Sequence, residues 1–422
     1  MHGAGKAAWQ DVRHGIMKYD FDAEIDRGGT FSLKWESIQG EEDLLQWRHT
    51  DRCFGEDRTL PMWVADMDLV CPQPVVDALV ARARHGIYGY TVATEAYYKA
   101  VASWMQRRHS WKIAPEWICT TPGVVPALNM LVSTFVAPGE KVLIQPPVYY
   151  PFFSAVENNG AGLVKNPLVY EDGRYRMDYA DLEAKVRDPQ VVMAILCSPH
   201  NPVGRVWTRE ELIRFGEICF ANDVLVVSDE IHGDLTFKGH PFIPFASLGV
   251  EFTQRAIICT APSKTFNLAG LHVSNIIIAD GERRCRFEKT LRGHGLFGIG
   301  AFGVVAAQAA YECGEEWLDQ ALEYIAGNLA YLEEYVALHI PEITVIRPEG
   351  TYLVWLDCRR LGLDKLELKR LMLEEARVYL DEGFIFGPEG EGFERINIAC
   401  PRSLLAEALQ RIADVIHAGP HG

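Results

Sequence analysis

The stretch VLVVSDE at residues 224–230 decides the fold, because a short run of β-branched side chains ends abruptly in charged ones. Such a run is typical of a strand buried on both faces of a parallel sheet. Similar apolar runs are KVLIQ (141–145), VVMAILCS (191–198), RAIICTAPSK (255–264) and HVSNIIIAD (272–280). Because helical stretches separate most of these runs, we predict an α/β fold with a mostly parallel sheet covered on both faces.

The remainder of the chain predicts a second, smaller unit. Helical periodicity fits residues 74–84, 94–108, 124–136, 208–221 and 298–338. After about residue 340 the pattern changes to TVIRPEGTYLVWLD, a helix near 365–378, FERINIACP and a helix near 402–417. We predict a large domain at 62–310. We also predict a small α+β domain built from 1–61 and 311–422, whose first part is an irregular arm with a short helix.

Composition excludes several classes of function. Lys and Arg number 41 and Asp and Glu number 57, so the net charge is −16. A surface that acidic repels phosphate backbones, and we therefore expect no nucleic-acid partner.

Cysteine usage and hydropathy point to a reduced compartment. The ten cysteines are scattered without a C-x-x-C pair, and several lie inside apolar runs. This arrangement favours buried thiols over disulfides or a metal site. The N-terminus lacks the apolar core of a secretion signal, and no apolar run reaches the roughly 18 to 20 residues of a membrane helix. We predict a cytoplasmic protein without a membrane partner.

Three polar residues follow three of the predicted strands. Asn201 comes after the run at 191–198, Asp229 ends the run at 224–230, and Lys264 ends the run at 255–264. Ligands of open α/β sheets bind outside the carboxyl ends of the strands, so these residues would meet at one edge. Taken singly, each has a structural explanation as a turn residue, a helix cap or a solvated lysine. Their combination favours a functional site.

These residue types suit pyridoxal 5'-phosphate (PLP). A buried lysine amine condenses with an aldehyde, and a carboxylate keeps a pyridine nitrogen protonated. An amide can donate to the ring oxygen. A phosphate needs backbone N–H groups at a helix N-terminus, which TTPGVVPALNML (120–131) offers at Gly123.

Several longer segments resemble a known family. SDEIHGDL, APSKTFNLAGLH, CSPHNPVGRVW and TPGVVPAL resemble fold-type I PLP enzymes of the class I/II aminotransferase superfamily. LPMWVADMDLVCPQPVVDAL, GIYGYTVATEAYYKAVASWMQRRHSW and FERINIACPR are similar to its MalY/PatB branch, the cystathionine β-lyase type of C–S lyases. The resemblance covers nearly all of the chain from about residue 18. It implies a large domain with a mostly parallel seven-stranded sheet and a smaller α+β domain.

The resemblance assigns roles around the cofactor ring. Lys264 matches the Schiff-base lysine, Asp229 the partner of the pyridinium nitrogen, and Asn201 the donor to the ring hydroxyl. Two positions depart from many class I aminotransferases. His232 stands where those enzymes have a tyrosine near the ring hydroxyl, as in the lyase branch. His272 stands where they have an arginine on the phosphate, which leaves the phosphate to backbone groups, hydroxyls or His272 itself.

Further roles concern the phosphate, the ring face and the substrate. Gly123 and Val124 match the backbone groups that hold the phosphate, with Ser263 beside them. Tyr149, in PPVYYPF, matches the aromatic ring that stacks on the cofactor, with a core tyrosine as the alternative. Arg395, in ERINIA, matches the arginine that binds the substrate α-carboxylate, with a surface charge as the alternative.

Tyr90, in YGYT, matches a residue that reaches the neighbouring subunit's site, although a turn residue is an equally good interpretation. We therefore expect a homodimer with shared active sites. The aromatic rings around Trp63 and at 149–153 could line a pocket for an apolar thioether or simply pack in the core.

Three functions remain open on the sequence. The first is β-elimination of a thiol from a cysteine S-conjugate such as cystathionine, which the resemblance favours. The second is transamination on the same fold. No second arginine is clearly placed for a distal carboxylate, which argues against a dicarboxylate aminotransferase. The third is a PLP-binding regulator of a transcription factor.

Overall fold

The structure is a computed structural model that describes residues 19–39, 47–49 and 58–419. Fourteen α-helices occur in these residues. They are α1 (Leu33–Glu36), α2 (Gln73–Arg84), α3 (Glu95–His109), α4 (Val124–Phe135), α5 (Pro151–Glu157), α6 (Tyr179–Val186), α7 (Arg209–Ala221), α8 (Val250–Arg255), α9 (Pro262–Thr265), α10 (Gly281–Gly293), α11 (Ala301–Cys313), α12 (Glu315–His339), α13 (Lys365–Arg370) and α14 (Arg402–Ala418).

The same residues contain seventeen strands. They are β1 (Ser37–Gln39), β2 (Trp47–His49), β3 (Leu60–Pro61), β4 (Ile118–Thr121), β5 (Lys141–Ile144), β6 (Gly162–Lys165), β7 (Val169–Glu171), β8 (Arg174–Arg176), β9 (Val191–Cys197), β10 (Leu225–Asp229), β11 (Ala256–Thr260), β12 (Ser274–Ile277), β13 (Thr344–Ile346), β14 (Leu353–Asp357), β15 (Val378–Tyr379), β16 (Asp381–Glu382) and β17 (Phe393–Asn397).

A seven-stranded sheet forms the centre of the molecule, in the order β4-β12-β11-β10-β9-β5-β6. Every neighbouring pair is parallel except the two that involve β12, which runs antiparallel to both β11 and β4. The apolar side chains of β9, β10 and β11 are almost completely buried, as expected for strands covered on both faces. The predicted mostly parallel sheet of seven strands is confirmed.

A second, four-stranded sheet lies further along the chain, in the order β13-β14-β17-β16. All of its strand pairs are antiparallel. The register places Arg395 of β17 opposite Trp355 on one side and Asp381 on the other. This sheet, with the helices around it, confirms the smaller α+β unit. The domain boundaries at residues 61–62 and 310–311 stay a prediction.

The run predicted as a strand at 255–264 ends earlier than expected. Strand β11 stops at Thr260, and Pro262 opens the one-turn helix α9. Proline fits the first position of a helix because its fixed φ is helical and its missing N–H is not needed there. As a result Ser263 and Lys264 lie on a helical turn beyond the strand.

The helix predicted over 298–338 is two helices, α11 and α12, which meet at Gly314. A Cβ at this position would lie 2.5 Å from Cε1 of Phe266 and 2.6 Å from the carbonyl oxygen of Ala310. Only glycine therefore allows the Phe266 ring to approach the helix junction so closely.

The helix expected near 365–378 is also shorter. Helix α13 continues into a single π-helical turn at Leu371–Glu375. Arg377 has a φ of +54°. A right-handed helix needs a negative φ, so the helical path ends before this residue. Strand β15 begins at the next residue and pairs with β3 in parallel.

The N-terminal region contains the short helix that was predicted, α1, followed by β1, which pairs antiparallel with β2. The first 18 residues, for which no function is predicted, lie outside the described residues. Nine cysteines fall in the described part of the chain and all have free thiols; Cys53 lies outside it. In the described ranges, no helix is long and apolar enough to cross a bilayer.

Candidate active site

The carboxyl ends of three neighbouring strands form the floor of the candidate site. Asp229 is the last residue of β10, where it pairs with Cys197 of β9 on one side and Cys259 of β11 on the other. Asn201 lies in the turn after β9, and Lys264 lies on α9 after β11. The sheet therefore brings together the three strand-end residues that the sequence singled out.

Asp229 is a buried carboxyl with few partners. Its side chain is 5% exposed, and within the described chain its one hydrogen bond comes from the backbone N–H of Ile231, at 3.2 Å. Burial raises the pKa of Asp229 to about 7, although the charge of Lys264 acts in the opposite direction. A carboxyl in this state suits a cationic ring nitrogen, which would restore its ordinary acidity.

Lys264 carries a reactive amine. Its Nζ donates a hydrogen bond of 2.7 Å to the carbonyl oxygen of Ala65. Burial lowers the pKa of Lys264 to about 8; the charge of Arg395 lowers it further, whereas Asp66 and Asp229 raise it. An appreciable share of neutral amine therefore exists near neutral pH, which is what a lysine nucleophile requires.

Arg395 is buried and held on several sides. Its Nη1 donates to Oδ1 of Asn201 at 2.9 Å, and its Nη2 donates to the carbonyl oxygen of Trp63 at 2.9 Å. Nη2 is also ion-paired with Asp381. Its Nε has no partner in the described chain. The guanidinium lies over the ring of Phe386. Because Oδ1 of Asn201 accepts from Arg395, the donors that this amide can offer are the N–H groups of Nδ2.

Two further predicted residues adjoin these groups. The backbone N–H of Tyr149 donates to the carbonyl of Asn201 at 3.1 Å. Burial raises the pKa of Tyr149 to about 12, while the charge of Arg395 lowers it and that of Asp229 raises it. His232 is 3% exposed and its Nδ1 has no hydrogen-bond partner in the described chain. Burial, Lys264 and Arg395 hold the pKa of His232 well below its usual range, so the ring is neutral.

The proposed phosphate site lies at the start of α4. Gly123 caps this helix with a φ of +142° and leaves its first N–H groups without a side-chain cap. Val124 is the first helical residue, and the Thr121 hydroxyl fixes the turn by donating to the Gly123 carbonyl at 3.1 Å. Ser263 is half-buried on α9, whereas the His272 side chain is exposed. Open N–H groups at a helix start fit a phosphate.

PLP fits the residues present. The unmatched carboxyl of Asp229 suits the ring nitrogen, the amine of Lys264 suits the aldehyde, and the open end of α4 suits the phosphate. The unpartnered Nδ1 of His232 is a further polar atom in need of a ligand or water.

The aromatic residues near the site divide into two groups. Trp63 is buried and stacks on Tyr379 at 4.6 Å, and Phe152 is fully buried, so both pack in the core. Tyr149 and Tyr150 remain half-buried with their ring centroids 5.2 Å apart. Phe386 lies 6.2 Å from Tyr150. The apolar wall beside Arg395 therefore comes from these three rings.

The structure also places residues at the site that sequence reasoning missed. The Tyr352 hydroxyl donates to the carbonyl of Ala65 at 2.8 Å, the same oxygen that accepts from Lys264. Its ring meets that of His232 edge-on, with centroids 6.2 Å apart. Asp381 pairs with Arg395 from the neighbouring strand. The sequence around Asp381, YLDEG, is typical of an exposed turn and therefore does not indicate a residue of the site.

Tyr90 is the predicted site residue that this subunit does not bring to the site. Its side chain is fully exposed, in an extended segment between α2 and α3. Its neighbours Ile87, Tyr88 and Val92 are exposed as well, as is Phe297.

Comparisons with known proteins agree with this geometry. The family model for aminotransferase class I and II matches residues 59–412. Cystathionine beta-lyase PatB of Bacillus subtilis is 46% identical, over 93% of this chain and 98% of that protein. Protein MalY of Escherichia coli is 32% identical, over 95% and 99%. The crystal structure of cystalysin from Treponema denticola, which contains PLP, has a TM-score of 0.89 and 38% identity, over 95% of this chain and 100% of that one.

Proposed function

The chain belongs to the aminotransferase class I and II family, and from this premise we propose that it is a PLP-dependent lyase that breaks the C–S bond of cysteine S-conjugates such as cystathionine. One molecule of water is consumed, and the products are a thiol, pyruvate and ammonia. The observation that carries the proposal is the 46% identity to cystathionine beta-lyase PatB across 93% of the chain.

Different residues of the chain have different roles in this reaction. When bound, PLP supplies a ring that withdraws electrons from the substrate Cα. Lys264 anchors the cofactor and, once displaced by the substrate amine, takes the α-proton as a general base. Asp229 would hold the ring nitrogen of bound PLP with its negative charge and keep that nitrogen protonated. Loss of the α-proton then allows the sulfur to leave with the electron pair of the C–S bond.

Substrate binding depends on the other side of the site. Arg395 would bind the α-carboxylate through its charged guanidinium, and the Asn201 amide would donate to the ring hydroxyl of bound PLP. Tyr149 would pack against the ring. The half-buried rings of Tyr149 and Tyr150, backed by the buried ring of Phe386, offer an apolar surface to the thioether.

The reaction is tested with cystathionine and the purified protein. We expect pyruvate and free thiol in equal amounts without any added 2-oxo acid, and no product from the Lys264→Ala variant. Transamination is the alternative, since the family includes aminotransferases. Turnover that occurs only when a 2-oxo acid acceptor is present would replace the lyase with an aminotransferase.

We further infer a homodimer. One subunit exposes a group of large apolar side chains, namely Ile87, Tyr88, Tyr90, Val92 and Phe297. Because a monomer rarely exposes so much apolar surface, we expect a partner to cover them. A second copy that covers them would receive Tyr90 at its own site.

The free thiols of the described cysteines support a cytoplasmic location.

A further inference from the structure

One backbone segment, Trp63–Asp68, contacts two of the groups that the reaction needs. The carbonyl oxygen of Trp63 accepts a hydrogen bond from Nη2 of Arg395 at 2.9 Å. The carbonyl oxygen of Ala65 accepts from Nζ of Lys264 at 2.7 Å. The position of this segment therefore affects both the proposed base and the proposed carboxylate-binding arginine.

A cluster of charged residues from the N-terminal arm holds the far side of the segment. Nη1 and Nη2 of Arg27 bond both oxygens of Asp66, at 3.1 and 3.0 Å, and Nη1 also bonds Asp68 at 2.8 Å. Nζ of Lys34 bonds Asp68 at 2.6 Å and the Asp66 carbonyl at 3.2 Å. The Trp35 indole donates to Asp68 at 2.8 Å.

The centre of the cluster, the Lys34–Asp68 pair, is deeply buried. Lys34 is 0% exposed and Asp68 is 6% exposed. Burial would raise the pKa of Asp68, but the charges of Lys34 and Arg27 outweigh it and lower that pKa. Asp68 is therefore ionised, and the two basic side chains of the arm, Arg27 and Lys34, pair with the two acids of the segment.

Two amide side chains hold the segment from the opposite direction. Nδ2 of Asn397 donates to the carbonyls of Val64 and Asp66, at 2.7 and 2.6 Å. Asn267, three residues after Lys264, donates to the Met67 carbonyl at 2.9 Å and accepts from the Met67 N–H at 2.9 Å. The segment is thus bonded to the arm, to strand β17 and to the turn that follows α9.

We propose that Lys34 and Arg27 are positioning residues, which hold the Trp63 and Ala65 carbonyls where they orient Arg395 and Lys264. The proposal rests on the function proposed above. Buried ion pairs contribute little net stability compared with apolar packing, so a cluster of this kind is better explained by the geometry that it enforces. Misplacing a reacting group by about 1 Å can cost about 100-fold in rate.

The test compares Lys34→Met with Leu332→Ala. Leu332 is fully buried in α12, so its truncation destabilises the fold without touching the segment. Activity is expressed per subunit that carries bound cofactor, measured by absorbance. For Lys34→Met we expect a kcat lower by about 10- to 100-fold and a raised KM for cystathionine. For Leu332→Ala we expect both within about twofold of wild type.

A second measurement does not depend on the reaction type. L-alanine has no leaving group, and its binding is followed by the change in cofactor absorbance. We expect its Kd to rise about tenfold in Lys34→Met and to stay unchanged in Leu332→Ala. If wild-type protein binds alanine but releases no thiol from cystathionine, the proposed lyase is wrong while the alanine Kd still tests the segment.

Arg27→Met provides the test if Lys34→Met does not fold, because Arg27 is partly exposed and its loss leaves Lys34 with Asp68. We expect a change in alanine Kd of about threefold in the same direction. An alanine Kd and a KM equal to those of Leu332→Ala in the folded variants would overturn the proposal and leave the cluster a purely structural role.

Discussion

Two buried ionisable side chains reach the site from two different sheets, and they differ in how many protein groups they bond. Asp229, at the end of a parallel strand, has one backbone N–H as its hydrogen-bond partner in the described chain. Arg395, within an antiparallel strand, is bonded to Asn201, Trp63 and Asp381. Burial accordingly raises the pKa of Asp229 to about 7, whereas it lowers that of Arg395 to about 10 and leaves the arginine charged.

The difference shows which side of the site depends on a ligand. A buried carboxylate without a cation is costly, so the Asp229 side gains most from a positively charged ring nitrogen. The Arg395 side is preorganised, because protein groups already fix the guanidinium before a substrate carboxylate arrives. Substitutions of Asp229 and of Arg395 should therefore change different kinetic parameters.

Lys264→Ala should have the largest effect, because this amine faces both charges. We expect turnover of cystathionine to fall by about 10⁴-fold, since the variant loses a general base together with the cofactor's attachment. Pyruvate release and the absorbance of the purified protein measure the two losses. Lys238→Ala, at an exposed lysine, is the matched control and should behave as wild type.

Asp229→Asn should affect the chemical step on the ligand-dependent side. Without the negative charge the ring nitrogen loses its proton, and we expect kcat to fall by about 100-fold or more. KM should change little, because Arg395 and its partners are untouched. A change in KM with an unchanged kcat would show that Asp229 and Arg395 do not act separately.

Arg395→Gln should instead raise KM. Loss of charge-assisted bonds to the substrate carboxylate corresponds to about a 10- to 100-fold increase. The variant also leaves the Asp381 carboxylate buried without its cation, which lowers stability. The double variant Arg395→Gln/Asp381→Asn should recover stability but not KM. Recovery of KM in the double variant would contradict the assigned role of Arg395.

Tyr90→Ala should have a smaller effect, of about tenfold on kcat/KM, if this residue completes the partner's site. The variant should remain folded, because the side chain is fully exposed within one subunit. Sedimentation and circular dichroism check assembly and folding. A wild-type monomer with full activity would rule out a shared site.

The last prediction concerns stability without cofactor rather than turnover. The pKa of Asp229 in the fold, about 7, lies above its ordinary value of 3.8. The unfolded chain therefore releases this proton first as pH rises, and the free energy of unfolding falls between about pH 4 and pH 7. Asp229→Asn removes this penalty and should be more stable than wild type at pH 8, by about 4 kcal/mol, but not at pH 4. Thermal melts of the cofactor-free proteins at both pH values measure the difference.

The sequence predicted the parallel-sheet side of the site better than the antiparallel side. Asn201, Asp229 and Lys264 each follow a strand of the central sheet, so strand order alone brings them to one edge. The arginine at 395 was assigned only through resemblance. Asp381 and Tyr352 were missed because their contacts depend on cross-strand register and on a carbonyl far away in the chain. The same holds for Lys34, whose partner Asp68 is set by tertiary packing.

The junction of α11 and α12 bears on how such proteins could be recombined. Phe266, two residues beyond Lys264, fills the space left by the absent side chain of Gly314 and contacts Trp104, Tyr311 and Trp317. A chimera that joins the first part of this chain to the last part of a relative would cut through this fit. Both parents could contribute intact catalytic groups, and the hybrid would still misplace the lysine unless glycine and phenylalanine were inherited together.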